Sequence, residues 1–309
     1  MHECDQRTHT HNRDLTPYVS LHVPHWENTE EDVAGIKREF SLALLKRSSL
    51  WWFDMWGGFY QEPVLFENFR LMKEIYDSRI RLTSRNVEEV AMIVDPDALA
   101  YFDQRSPRQR DFQPDIRKKL NRLGAPFETW CLRDVPSIPN LHEIKFFIFA
   151  TPWEITPEKA ELLNRYVLNH DRTVLWFYAP GISDGKSFDE SRIRRWTGAD
   201  PHVSGLSVQR MNGWTSAFLR NPAELTPATL KSLAKSAGVH LYSDAEIPVY
   251  ADDRFLALHS KEGGTMTIRL PRRTGRITEL FSGKLAAENV SEFQWNFRAP
   301  DTVLFEMED

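Results

Sequence analysis

Four short apolar runs constrain this chain most: residues 89–95, 126–132, 144–150 and 172–178. Runs such as Val90-Ala91-Met92-Ile93-Val94 and Phe146-Phe147-Ile148-Phe149 are rich in β-branched and aromatic residues and too short for helices. Stretches with helical spacing lie between and beyond them. Residues 114–123 turn Ile116, Leu120 and Leu123 to one side, with Gly124 as the C-cap. Thr156-Pro157-Glu158 supplies an N-cap and a first-turn proline for a helix with Leu162, Leu163, Tyr166 and Val167 inward. Residues 187–196 read as a further helix. Thr226-Pro227 opens one more, with Leu230, Leu233 and Ala237 inward and Gly238 closing it. Doubly buried strands alternating with helices of this length predict an α/β fold with a parallel, doubly wound sheet. Asp95, Asp134 and the turn Ala179-Pro180-Gly181 then fall on the carboxyl edge of that sheet, where ligands bind in such folds.

The flanks follow other rules. Thr29 reads as an N-cap, with Glu30, Glu31 and Asp32 favourable in the first turn. Val33, Ile36, Phe40 and Leu44 then mark an amphipathic helix over 30–47. Leu65, Phe69, Met72 and Tyr76 mark another over 63–78, with Pro63 at its start. Tyr18-Val19-Ser20-Leu21-His22-Val23 alternates weakly, as a short strand would. From His240 onward come short strands with turns, at 249–251, 255–259, 265–270, 277–281, 293–297 and 302–306, which predict a small antiparallel β domain.

Between the two early helices lies Leu50-Trp51-Trp52-Phe53-Asp54-Met55-Trp56-Gly57-Gly58-Phe59-Tyr60. Its first four residues read as a buried strand that delivers Asp54 to the start of a glycine loop. Trp and Tyr beside an acid suit a sugar, because an apolar ring stacks on a pyranose face while carboxylates bind hydroxyls. The plainer alternative is a hydrophobic strand that happens to end in Asp. Ten Trp among the aromatics agree with carbohydrate handling. A net charge of -5 argues against a dedicated partner among nucleic acids or anionic membranes.

Glu3, Asp5 and Arg7 are spaced to share one side of a strand, and Arg7 would hold a neighbouring carboxylate ionised as a nucleophile requires. Spacing alone favours a frayed polar terminus. His9-x-His11 offers two metal-type ligands without a firm third, so no metal site is expected. Cys4 and Cys131 fit neither a zinc cluster nor a disulfide framework. No G-x-G-x-x-G follows Val94, so no dinucleotide cofactor is expected. A hydrolase or amidotransferase of this class would carry Cys or Ser on a sharp turn after a strand, where this chain offers Ala179-Pro180-Gly181. No signal peptide or apolar membrane span is apparent, which favours the cytoplasm. The abrupt opening in a charged motif reads as a fragment of something longer.

Glu3-x-Asp5-x-Arg7-Thr8-His9, Arg38-Glu39-Phe40 and Trp51-Trp52-Phe53-Asp54 together resemble the last part of the catalytic barrel in bacterial β-galactosidase-like glycoside hydrolases, family forty-two and its relatives. Leu175-Trp176-Phe177-Tyr178-Ala179-Pro180-Gly181 is similar to the middle domain of those proteins. Gly238-Val239-His240-Leu241-Tyr242-Ser243, Leu270-Pro271 and Thr278-Glu279-Leu280-Phe281 fit their closing β domain.

The resemblance implies three parts. Residues 1–84 would be the last βα units of a TIM-type (β/α)8 barrel. Residues 85–239 would be a flavodoxin-like (class I glutamine amidotransferase-like) domain that mediates trimerisation without amidotransferase activity. Residues 240–309 would be the small β domain. Retaining hydrolysis needs two carboxylates about 5 Å apart. The family carries its acid/base on strand four, which this sequence lacks, and its nucleophile on strand seven. Glu3 is the implied nucleophile, with Asp5 as the competitor. Trp52, Asp54 and Trp56 would form the substrate-binding wall with Arg7. The chain alone is then expected to be inactive, to take a carbohydrate without any cofactor, and to form a homo-oligomer, trimer or dimer. The competing reading is a non-catalytic sugar-binding or oligomerisation module.

Overall fold

The computed structural model describes residues 1–11, 25–54, 57–103, 105–106 and 109–309, which form two units. The weak strand expected over 18–23 lies outside the described residues. Among the described residues no helix is long and apolar enough to cross a membrane.

The first unit joins residues 1–85 to 247–309. It opens with β1 (His2–Cys4), α1 (Thr29–Leu45), β2 (Leu50–Trp52) and α2 (Pro63–Arg79). Asn28, one residue before the expected Thr29, caps α1 by accepting from the Glu31 N–H. Either side chain satisfies the chemistry of an N-cap; the extended backbone at Asn28 decides between them. Pro63 begins α2, where its missing N–H costs nothing.

Five antiparallel strands follow: β9 (Val249–Ala251), β10 (Phe255–Ser260), β11 (Gly264–Glu279), β12 (Lys284–Phe297) and β13 (Asp301–Glu308). Their order is β12-β11-β13-β10-β9. The separate strands expected at 265–270 and 277–281 are one long strand, β11. Pro271 has no N–H for the ladder, and the pairing with β12 slips there, between Arg269 and Thr274, without ending the strand. Ile36, Phe40 and Leu44 of α1 and Leu65, Met72 and Ile75 of α2 share one core with Phe255, Ala257 and Leu304 of the sheet. Thr302 of β13 donates its hydroxyl to the Ala34 carbonyl at 2.6 Å, tying helix to sheet.

The second unit, residues 86–246, contains β3 (Val90–Val94), α3 (Gln109–Leu120), β4 (Phe127–Cys131), β5 (Phe146–Phe149), α4 (Pro157–Tyr166) and β6 (Thr173–Phe177). It ends with α5 (Ser191–Thr197), β7 (Leu206–Arg210), β8 (Thr215–Leu219) and α6 (Pro227–Ser236). The sheet order is β4-β3-β5-β6-β8-β7, parallel except for β7. One core holds Leu163, Ile193 and Trp196 from the helices with Phe147 and Trp176 from the strands. The other holds Ile116, Leu120, Leu230 and Leu233 with Phe146 and Leu175. Adjacent strand residues thus enter different cores, which is why these strands read as continuous apolar runs.

Thr156 and Thr226 cap α4 and α6 as expected, each accepting from the N–H three residues on. Helix α3 starts before its expected first residue, Pro114, which sits inside it. The β7–β8 hairpin was not expected from the sequence. Its turn is Asn212-Gly213, with Gly213 at φ 79° and the Met211 N–H donating to the Trp214 carbonyl at 2.9 Å.

Candidate functional site

Parallel strands β1 and β2 pair in register, His2 with Leu50, Glu3 with Trp51 and Cys4 with Trp52. Side chains alternate along a strand, so Glu3 and Trp51 share one face while Cys4 and Trp52 share the other. The Cys4–Trp52 face is the packed one. Trp52 lies against Phe69 of α2 and against Tyr60, with ring centroids 4.8 and 5.7 Å apart. The Tyr60 hydroxyl donates to the Cys4 carbonyl at 3.2 Å. Burial pushes the Cys4 thiol up to about 11, so it stays protonated and unreactive. On the same side His2 and Arg38 meet Glu39 of α1, at 2.9 and 2.7 Å, which gives the Arg38-Glu39 motif a role in seating β1.

The other face is open. Glu3 is exposed and Trp51 is 43% exposed. Phe53 lies against Trp51, with ring centroids 4.7 Å apart. Of the residues expected in a substrate-binding wall, Trp52 lies on the packed face against α2, while its neighbour Trp51 lies on the open face. The Trp51-Trp52 doublet signalled that one ring would turn each way, but only the pairing with β1 shows which.

The segments after the two strands hold each other. Thr8, fully buried, donates its hydroxyl to the Phe59 carbonyl, and Thr10 donates to the Gly58 carbonyl at 2.9 Å. The Arg7 guanidinium sits 5.7 Å from the centre of the Phe59 ring. Asp54 is exposed, and one oxygen accepts from the Phe59 N–H at 3.3 Å, closing the turn through Gly57 and Gly58 at φ 78° and 84°. Asp5 is exposed, one residue past the end of β1. Trp56 lies outside the described residues.

The His9-x-His11 pair divides between different partners. His9 Nδ1 lies 2.5 Å from Asp32 Oδ2, the His9 backbone N–H donates to Asp32 Oδ1 at 3.1 Å, and His9 Nε2 lies 3.4 Å from Glu62. Burial raises the Asp32 carboxyl above its usual range, against the pull of the His9 hydrogen bonds. His11 Nδ1 meets the Thr8 carbonyl at 2.9 Å, and its ring packs on His25. Among the described residues no three His, Cys, Asp or Glu side chains converge as metal ligands.

At the carboxyl edge of the second unit's sheet, buried Asp95 meets Lys159 Nζ at 2.7 Å. Lys159 also reaches Glu154 at 2.8 Å and Asp97 at 3.5 Å, and the Tyr101 hydroxyl donates to Glu154. Burial pulls the Lys159 ammonium down, but its hydrogen bonds to Asp95 and Glu154 outweigh that and hold it above its usual range. Hydrogen bonds from Lys159 and Tyr101 hold Glu154 low. Three carboxylates thus share one ammonium, with the Tyr101 hydroxyl as a further donor to Glu154. The sharp bend after β6 falls on Tyr178, at φ 63°, one residue before the expected Ala179-Pro180-Gly181 turn.

No protein-family model matches the chain, and no curated protein matches it. Solved β-galactosidases share its fold. Gan42B, a GH42 β-galactosidase from G. stearothermophilus, superposes with a TM-score of 0.64 at 12% identity, over 99% of this chain and 53% of that one. A cold-adapted β-galactosidase from Rahnella sp. R3 gives 0.62 at 11% identity, over 97% and 54%. One from Bacillus circulans sp. alkalophilus gives 0.58 at 14%, over 81% and 46%. The chain therefore spans about half the length of the solved galactosidases it matches.

Proposed function

We propose that this chain is the C-terminal portion of a β-galactosidase-like glycoside hydrolase that cleaves β-glycosides with retention. Residues 1–84 end its (β/α)8 barrel, residues 85–239 are a flavodoxin-like association domain, and residues 240–309 close the protein as a β domain. Glu3 is the nucleophile. Trp51 and Phe53 offer the apolar surface on which a pyranose stacks, and Asp5, Arg7 and Asp54 border it.

The observation that carries this reading is the parallel β1–β2 pair with Glu3 and Trp51 side by side on its open face, within a fold shared with β-galactosidases. A carboxylate near the carboxyl end of a barrel strand is where such enzymes keep their chemistry. Retention needs a second carboxylate about 5 Å from the first. In this reading it belongs to an earlier barrel strand, so the chain contributes part of the sugar site and an assembly surface, without turnover of its own. Hydrolysis of 4-nitrophenyl β-galactoside by the purified chain tests this. No turnover above a Glu3→Gln control is expected, and clear turnover overturns the reading.

The alternative, a non-catalytic sugar-binding or oligomerisation module, draws on the turn after β6. It carries Tyr178 where a hydrolase or amidotransferase of that fold would carry Cys or Ser. Turnover in a longer form of the protein, lost on Glu3→Gln, separates the enzyme from the module.

A further inference from the structure

The carboxyl edge of the second unit's sheet holds a cavity of about 340 Å³, a volume at the lower end of small-molecule sites. It lies beside the ends of β3 and β5, where the chain's path across the sheet reverses direction. Open α/β sheets bind ligands at such a switch point. Its walls are aromatic: Phe102 lies nearly parallel to Trp153 at 5.4 Å, and Phe112 meets Trp153 edge-on at 4.9 Å. Tyr178 packs edge-on against both Phe112 and Trp153, at 6.0 and 6.3 Å. Its φ of 63° is a backbone conformation that a bulky side chain rarely adopts, and such strain concentrates at ligand sites.

Polar groups on the lining are few. Thr151 is already engaged, accepting from the Asp95 N–H at 3.2 Å and donating to the Asp95 carbonyl at 3.4 Å. That leaves the Arg110 guanidinium and the Gln113 amide, with the buried Trp153 indole N–H, which has no partner among the described residues. A sugar needs a partner for each hydroxyl on entering an apolar pocket, since an unmatched polar group is costly there. One guanidinium and one amide instead match a single carboxylate on an otherwise apolar ring.

We propose that this cavity binds a small aromatic carboxylate, its ring among Phe102, Phe112 and Trp153 and its carboxylate on Arg110. The site belongs wholly to the second unit and does not depend on the sugar-site reading of Glu3. Isothermal titration of the purified chain tests it, with phenylacetate, neutral phenylacetamide, glucuronate and inorganic phosphate as probes. Phenylacetate is expected to bind one to one and more tightly than glucuronate or phosphate. Arg110→Gln, at an exposed position, should weaken phenylacetate by roughly tenfold and leave phenylacetamide unchanged. Three results each overturn the proposal: no phenylacetate binding at millimolar concentration, tighter binding of glucuronate or phosphate, or equal phenylacetate affinity in Arg110→Gln.

Discussion

Glu3 of β1 and Trp51 of β2 stand opposite one another on adjacent parallel strands, both on the open face of the pair. Their partners one residue on, Cys4 and Trp52, pack on the helix side. A one-residue slip in register would exchange the two faces, so the packing of Trp52 on Phe69 also sets where Glu3 points. The fold thus supports the site through residues that do not line it.

His259 gives the first unit an acid-sensitive joint. Thr302 donates its hydroxyl to Ala34, so it accepts from His259 Nδ1–H at 2.8 Å. Burial, with Arg38 nearby, lowers the His259 pKa from 6.5 to about 4. A depressed histidine contributes stability that is present above the unfolded value and lost as pH falls through the folded one. Between pH 6.5 and 4 the unit should lose up to about 3 kcal/mol through this group. Denaturant unfolding across that window checks it, and His259→Asn should flatten the slope.

Lys159 neutralises the nearly buried Asp95 and also holds Glu154. Lys159→Met leaves a carboxylate buried without its counter-charge, and should cost about 3 kcal/mol. Adding Asp95→Asn should restore part of that loss, because the stranded charge is then gone. Equal stability of the wild type and Lys159→Met in thermal unfolding would contradict this.

Tyr178 occupies the left-handed region at φ 63° and is 40% exposed. That conformation costs a side-chain-bearing residue about 1–2 kcal/mol, and the edge-on contacts with Phe112 and Trp153 return about 0.5–1.5 kcal/mol each. Relief of strain and loss of the two ring contacts then nearly cancel, and Tyr178→Gly should change stability by less than about 1 kcal/mol. A markedly lower melting temperature in the glycine variant would show that the ring contacts dominate.

Much of the fold is legible in the chain because local chemistry and tertiary packing agree. Thr156-Pro157 and Thr226-Pro227 start helices where expected, and the four apolar runs become β3, β4, β5 and β6, of which β4 is a partly exposed edge strand. The β7–β8 hairpin shows a different limit. Asn212-Gly213 is a strong turn signal, but Leu206–Arg210 is an edge strand with exposed Leu206 and Val208, so its pattern is faint. The strands expected at 265–270 and 277–281 are continuous, because a bulge accommodates Pro271 within β11. In the candidate site, Glu3 and the aromatic run stood out by residue type. Which of Trp51 and Trp52 faces outward did not, since it depends on pairing between strands far apart in sequence.

The most direct test of the account is a galactose titration of the purified chain, followed by tryptophan fluorescence in the wild type, Trp51→Phe and Trp52→Phe. The account predicts a saturable change in the wild type that persists in Trp52→Phe and disappears in Trp51→Phe. A flat response in the wild type, or a response carried by Trp52, would contradict a sugar-facing wall built on Glu3 and Trp51.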